Sequence, residues 1–372
     1  ADPAQDDYVA WLVRRGFDAY EPHGARGEMY YIPQISSLPA EAHPSQWVGD
    51  ASRRFIRRAA RGRRPWCLFS SFIHPHPPFA PPKPWHKLYR APGMPLPHVP
   101  AGSAALQTWI NRLQNRYKYR DRGLDLNLLR QMKAYYYASI SFVDFQVGRI
   151  LDALETTEQL DRTLILFVSD HGEMLGDFNC FGKRSMHDAS VRVPLIVRQP
   201  ARYPAGAMCR TAVSLVDVYP SLLAAGGIEP PAGGLDGVDL ATLARRRATG
   251  RVVFSQFSQG PTGIYLAASA DWKYVWSAGD GREFLFDRRH DPGEADNLAA
   301  SPRGGDAKAA LREALLTHLK SCGRSEAFTE RNGRLRWRRY ARVDETYLND
   351  PDARLLVQDY PLYPTRLPGY TD

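Results

Sequence analysis

Apolar positions along the chain follow helical and strand periods in turn, and their order outlines the fold. Between residues 47 and 59, Trp47, Val48, Ala51, Phe55, Ile56 and Ala59 share one side of a helical projection and Arg53, Arg54, Arg57 and Arg58 the other, which predicts an amphipathic surface helix. Residues 66–73, WCLFSSFI, read as a buried strand that ends in a loop at the proline-rich stretch 75–84. A long helical pattern follows over 126–160, with Ile140, Val143, Val147, Ile150, Leu151 and Leu154 at steps of three and four. Residues 164–169 (LILFVS) and 193–198 (VPLIVR) have the short, continuously apolar character of interior strands, and 215–225 reads as a helix closed by Gly226 and Gly227. This alternation predicts an α/β fold, a mostly parallel central sheet flanked by helices. Past Gly233 and Gly234, short candidate strands at 252–256, 263–268, 273–276 and 284–286 predict a smaller antiparallel sheet, followed by a helix over 306–320. The expected organisation is an α/β domain over 1–245, a C-terminal subdomain over 246–330 and an irregular tail over 331–372.

Composition narrows the class. With 44% hydrophobic and 24% charged residues, the chain has the balance of a folded globular protein and not of a disordered or fibrous one. The formal charge of +9 suits an anionic ligand without naming one. Much of the excess lies between Arg53 and Arg64, where no stacking set of aromatics and no recognised binding module accompanies it, so the arginines read as a solvated helix face and no nucleic-acid partner is expected. Cys67, Cys180, Cys209 and Cys322 are widely spaced, which excludes a zinc ribbon or a dense disulfide framework. No apolar run reaches the roughly 18 residues of a membrane span. Asp6 and Asp7 stand at the head of a helical stretch, where they cap it instead of binding metal.

Candidate chemistry gathers where the strand 164–169 ends. In open α/β sheets, ligands bind beyond the carboxyl ends of the strands, and Asp170-His171-Gly172 occupies that place. Alone, the pair reads either as ligands or proton carriers, or as the cap of a following helix. Its surroundings add more. The stretch 168–177 (VSDHGEMLGD), then Phe181-Gly-Lys-Arg184 and 192–197 (RVPLIV), closely resembles the metal-binding region of type I sulfatases of the alkaline phosphatase superfamily. The resemblance continues through Ser214-Leu-Val-Asp217 to Gly226, Asp236-Gly237 with Leu240, and Phe284-Leu-Phe-Asp287 with Asp291-Pro-Gly-Glu294 and Asn297-Leu298; upstream, 71–79 (SFIHPHPPF) matches as well. It runs from about Trp47 to Leu298.

The resemblance implies roles. Asp170 and His171 match two ligands of a divalent cation, calcium in the first place, with manganese or another divalent ion left open by a histidine where many members carry asparagine. Lys183 matches the lysine that contacts the sulfate oxygens, and His76 the histidine that faces the leaving-group oxygen; both are catalytic and substrate-binding candidates. His187 and Asp188 receive no chemistry, and Asp287, Asp291 and Glu294 read as a turn and cap. The family's nucleophile is a formylglycine made from the Cys or Ser of a Cys/Ser-x-Pro-x-Arg segment, which none of the four cysteines begins. Formylglycine and the family's paired N-terminal aspartates are therefore expected in a segment preceding this chain, and the chain alone is expected to be inactive. The function implied for the full-length form is metal-dependent hydrolysis of a small-molecule or glycan sulfate ester. The alternatives are a phosphonate monoester or phosphodiester hydrolase on the same scaffold, and a non-catalytic anion-binding module.

Overall fold

A computed structural model describes residues 5–24, 31–112, 125–246 and 250–341. The chain divides into two compact units, one built from residues 1–96 and 121–163, the other from 97–120 and 164–372.

The first unit is helical. Helix α1 (Asp7–Arg14) starts at Asp6, whose carboxylate accepts from the backbone N–H groups of Tyr8 and Val9 at 2.9 and 3.1 Å, so Asp6 takes the capping role expected for the acidic pair while Asp7 is the first helical residue. Helix α2 (Pro44–Ala59) packs against the 31-residue helix α3 (Leu126–Thr156). The arginine face of α2 is outward as the pattern predicts, but the deepest stripe is Ser45, Gly49, Ser52 and Ile56, not the bulky residues beside it. Small side chains let α3 come close: a Cβ on Gly49 would lie 2.7 Å from Oε1 of Gln146. Charge pairing supports the contact, with Arg149 donating to Asp50 at 2.7 Å. Residues 66–73 form no strand among the described residues, and Phe69 is 88% exposed. An apolar run carries strand propensity only; the ladder needs a partner.

The second unit holds the sheets. Strands β1 (Ile165–Val168) and β2 (Leu195–Arg198) pair antiparallel, Phe167 opposite Ile196, with the short helix α4 (Asp188–Val191) between them. The mostly parallel arrangement expected of these two segments is thus not the one they adopt: the connection carries a single helical turn rather than a crossover, and the chain returns beside itself. Helix α5 (Val218–Ala225) ends at Gly226, with Gly227 at φ +64°, and α6 (Leu240–Arg246) follows. Strands β3 (Val253–Phe257), β4 (Ile264–Ala268), β5 (Trp272–Ser277) and β6 (Arg282–Asp287) make the expected antiparallel sheet in chain order. Alternation places Ile264, Leu266, Val275, Phe284 and Phe286 against Trp109, Met174, Phe178 and Met186. The opposite face, with Tyr265, Tyr274, Trp276 and Leu285, packs on Leu311, Leu315 and Leu319 of helix α7 (Gly305–Ser321). Part of the segment expected as an irregular tail is ordered: β7 (Phe328–Arg331) and β8 (Arg334–Trp337) form a hairpin whose Trp337 donates to the Tyr274 hydroxyl at 2.7 Å. The rest of that tail, 342–372, lies outside the described residues. No described helix is long and apolar enough to cross a membrane.

Candidate active site

The loop after β1 brings together three of the four residues singled out by sequence. Asp170 does not cap a helix, since residues 171–174 are not helical. Its side chain is 82% exposed, and its Oδ1 accepts from the His171 backbone N–H at 2.9 Å. The His171 ring is oriented by its own neighbour: Nδ1–H donates to the Gly172 carbonyl at 2.8 Å, so Nε2 presents a lone pair. That Nε2 lies 3.4 Å from Oδ2 of Asp170, which places two acceptors face to face. The exposed Lys183 brings its ammonium to 2.7 Å from Nε2.

Local backbone geometry sets this arrangement. Glycine is required at 172 because a Cβ there would meet the Ala189 carbonyl oxygen at 2.0 Å, and the Gly172 N–H donates to the Ser190 carbonyl at 2.7 Å. Ser190 donates through its hydroxyl to the carbonyl of Lys183, closing the loop on itself. The Glu173 carboxylate accepts from the N–H groups of Leu175 and Gly182, and Met174 N–H donates to the Gly182 carbonyl at 2.9 Å. Leu175, Phe178 and Asn179 sit at positive φ, strain that the loop's own hydrogen bonds hold in place.

His76 belongs to the first unit, in a segment rich in imidazoles. Its Nδ1–H donates to the Pro77 carbonyl at 2.7 Å, which fixes the orientation of the ring. His74 is buried and has its pKa driven well below 6.5 by burial first and then by the nearby His43, His23 and His76. His43 is likewise held down to about 3, mainly by burial, although its contact with the Ala80 carbonyl works the other way. Both rings are therefore neutral packing elements at physiological pH.

One feature beside the loop was missed by sequence reasoning. Lys273 of β5 is 0% exposed, and its ammonium reaches Asp188 at 2.5 Å, the Met186 carbonyl at 2.9 Å and the Glu294 carboxylate. Glu294, also buried, accepts from the N–H of Asp188 at 2.8 Å and faces Nδ1 of His187 at 3.2 Å. Burial opposes ionisation of Glu294, but the Lys273 charge and the His187 hydrogen bond outweigh it and hold the carboxyl down to about 2. His187 and Asp188, to which the sequence assigns no chemistry, both meet the buried Glu294, and Asp188 also meets Lys273. Asp287 and Asp291 act as turn caps through the N–H groups of Arg289, His290, Ala295 and Asp296. Glu294 does more than cap: it anchors α4 to the sheet. The signal for Lys273, a lone lysine inside the apolar strand WKYVW, was present in the sequence, but its partners lie 21 and 85 positions away. A second buried pair explains the 214–217 and 236–237 motifs. Asp217, 0% exposed, holds Arg251 at 2.7 and 2.9 Å and accepts from the N–H groups of Ser214 and Val238 at 2.8 Å each. At Gly237 a Cβ would meet the Val216 carbonyl oxygen at 1.9 Å.

A carboxylate and an imidazole lone pair that converge fit two ligands of a divalent cation, and the ammonium of Lys183 stands beside them. Among the described residues no group of three or more His, Cys, Asp and Glu is placed to hold a metal ion, so the remaining ligands are not found there.

The chain is similar to known proteins over most of its length. The sulfatase family model matches residues 7–228, and the model for the C-terminal region of N-sulphoglucosamine sulphohydrolase matches 176–321. An arylsulfatase of Clostridium perfringens is 32% identical over 351 residues, covering 88% of this chain and 68% of that protein. A choline-sulfatase of Rhizobium meliloti is 35% identical over 247 residues, 65% of this chain and 48% of the relative. Among solved structures, the phosphonate monoester hydrolase SpPMH from Silicibacter pomeroyi superposes with a TM-score of 0.72 at 23% identity, covering 91% of this chain and 73% of that one. The last likeness is one of fold, and the α/β architecture of that hydrolase is the architecture of this chain.

Proposed function

The chain belongs to the sulfatase family, and on that premise we propose that the protein it comes from hydrolyses a sulfate ester of a small molecule or glycan, with Lys183, His171, Asp170 and His76 on this chain's side of the reaction. The observation that carries the reading is the convergence of Asp170 Oδ2, His171 Nε2 and the Lys183 ammonium on one exposed loop. An ammonium there binds sulfate oxygens and stabilises the charge that grows on them in the transition state. Asp170 and His171 would supply two of the ligands of a divalent cation, calcium or another, whose contribution when bound would be Lewis-acid polarisation of a sulfate oxygen. The protonated imidazole of His76 donates from Nε2 to the departing oxygen. None of the four cysteines begins a Cys/Ser-x-Pro-x-Arg segment, so the nucleophile is not assigned to any of them.

The family shares its fold with phosphonate monoester hydrolases, which defines the rival reading. Parallel kcat/KM measurements on 4-nitrophenyl sulfate and on a phenylphosphonate monoester, made with the complete gene product and calcium, separate the two. The expected result is a preference for the sulfate; a clear phosphonate preference overturns the proposal.

A further inference from the structure

The charge of the chain is unevenly placed. Residues 51–96 hold ten arginines and lysines and no aspartate or glutamate, against 49 and 40 for the whole sequence. Within that stretch, α2 presents Arg54, Arg57 and Arg58 on one face, and Arg61 prolongs the row past the C-cap at Ala60. At 100° per residue these four lie within one face of about 100°, directly opposite the buried stripe of Ser45, Gly49, Ser52 and Ile56, and the row is about 10 Å long. Arg63 and Arg64 continue it into the following turn. All six are exposed, and among the described residues none of them is in an ion pair with a carboxylate. Arg53, by contrast, is paired with Asp50 at 3.4 Å.

A helix C-terminus favours one or two cations in its last turn, which Arg57 and Arg58 supply. The others have no such role, and the pairs Arg54/Arg58 and Arg57/Arg61 set like charges four residues apart, which destabilises the helix. Every basic residue from 53 to 64 is arginine, whose planar fork pairs with two oxygens of a sulfate or phosphate where lysine meets one. Phe55 and Trp66, the aromatics that flank the ridge in sequence, are poor stacking platforms for bases, because they meet edge to face at 5.8 Å and both are partly buried.

From this we infer that the arginine ridge of α2 is a docking surface for a densely sulfated polysaccharide. The inference rests on the sulfate-ester reading above, since it supplies that activity with a polymeric form of substrate, and nucleic acid is its competitor.

The test is binding of the full chain to fluorescently labelled dextran sulfate across a series of NaCl concentrations, with neutral dextran and a 20-base-pair DNA duplex as comparators. The ridge variant carries Arg54→Gln, Arg57→Gln, Arg58→Gln and Arg61→Gln; a control removes the same charge elsewhere through Arg324→Gln, Arg331→Gln, Arg334→Gln and Arg336→Gln. The ridge variant is expected to lose about tenfold or more in affinity near physiological salt, and its slope of log affinity against log salt to fall by about 3, the counterions of four contacts. The control should change affinity less than threefold. Relief of the like-charge pairs opposes the loss of the Arg57 and Arg58 charges at the helix C-terminus and of the Arg58 contact over Phe55, so the ridge variant is expected to remain folded with a cooperative thermal transition. Equal losses in both variants, no loss in either, or duplex DNA bound as tightly as dextran sulfate overturns the inference. Turnover of 4-nitrophenyl sulfate by the complete gene product keeps the two readings apart. Sulfate turnover without ridge-dependent binding removes the docking surface alone, whereas a phosphonate preference with ridge-dependent binding intact removes the catalytic reading alone.

Discussion

Replacing Glu294 by glutamine keeps the shape of a buried side chain and removes its charge, leaving the Lys273 ammonium with Asp188 as its one close carboxylate among the described residues. The structure sets the size of the effect. A carboxyl held from its ordinary 4.5 down to about 2 is favoured in the folded state by roughly 3 kcal/mol at neutral pH. Breaking a buried ion pair from one side costs about 3–5 kcal/mol, the same order. The sign follows from the direction of the shift. Because the folded pKa lies below the unfolded one, this stabilisation is complete above pH 4.5 and disappears as the pH falls toward 2. Urea unfolding followed by tryptophan fluorescence suits the measurement, since Trp272, Trp276 and Trp337 lie in or against the sheet that carries Lys273. Glu294→Gln should be less stable than the parent by roughly 3 kcal/mol at pH 7, with the gap shrinking to under about 1 kcal/mol near pH 2.5. A gap of the same size at both pH values would show that packing, and not charge, holds α4 to the sheet; a gap below about 1 kcal/mol at pH 7 would refute the electrostatic account altogether.

Other consequences are open to the same kind of measurement. Gly172→Ala drives a methyl into the Ala189 carbonyl and should cost about 1–3 kcal/mol in urea unfolding, with displacement of His171 lowering kcat/KM as well; an unperturbed variant would mean the loop yields where the structure has it closed. The first unit should lose stability as the pH drops below 6.5, because His43, with its folded pKa lowered to about 3, binds its proton more readily when unfolded. For His43 alone the loss at pH 5 is roughly 2 kcal/mol, and His43→Asn should flatten the urea midpoint between pH 6.5 and 4.5; an unchanged slope counts against a neutral buried imidazole.

How much of this was legible in the sequence depends on whether the deciding partner is local. The cap at Asp6, the stop at Gly226–Gly227 and the four short strands from 253 to 287 depend on neighbours a few residues away or on a period of two, and the pattern finds them. The Asp170-His171-Gly172 loop was legible for the same reason, as an ordered motif behind a short apolar strand. Pairing was not. Residues 66–73 have strand composition without a ladder, and β1 and β2 pair antiparallel although each taken alone suits a parallel sheet. On α2 the buried stripe fell to Ser45, Gly49 and Ser52, because closeness to α3 favours small residues over apolar ones, which periodicity does not register. The burial of Lys273 depends on Glu294 and Asp188, 21 and 85 positions away, which no local pattern registers.

The central claim is that the ammonium beside His171 acts on a sulfate ester. It is tested most directly by kcat/KM on 4-nitrophenyl sulfate for the complete gene product and its Lys183→Ala variant, with Tm recorded for both. Removing one preorganised charge donor should lower kcat/KM by about 10²–10³ while an exposed lysine leaves Tm unchanged. Equal turnover by parent and variant would contradict the claim.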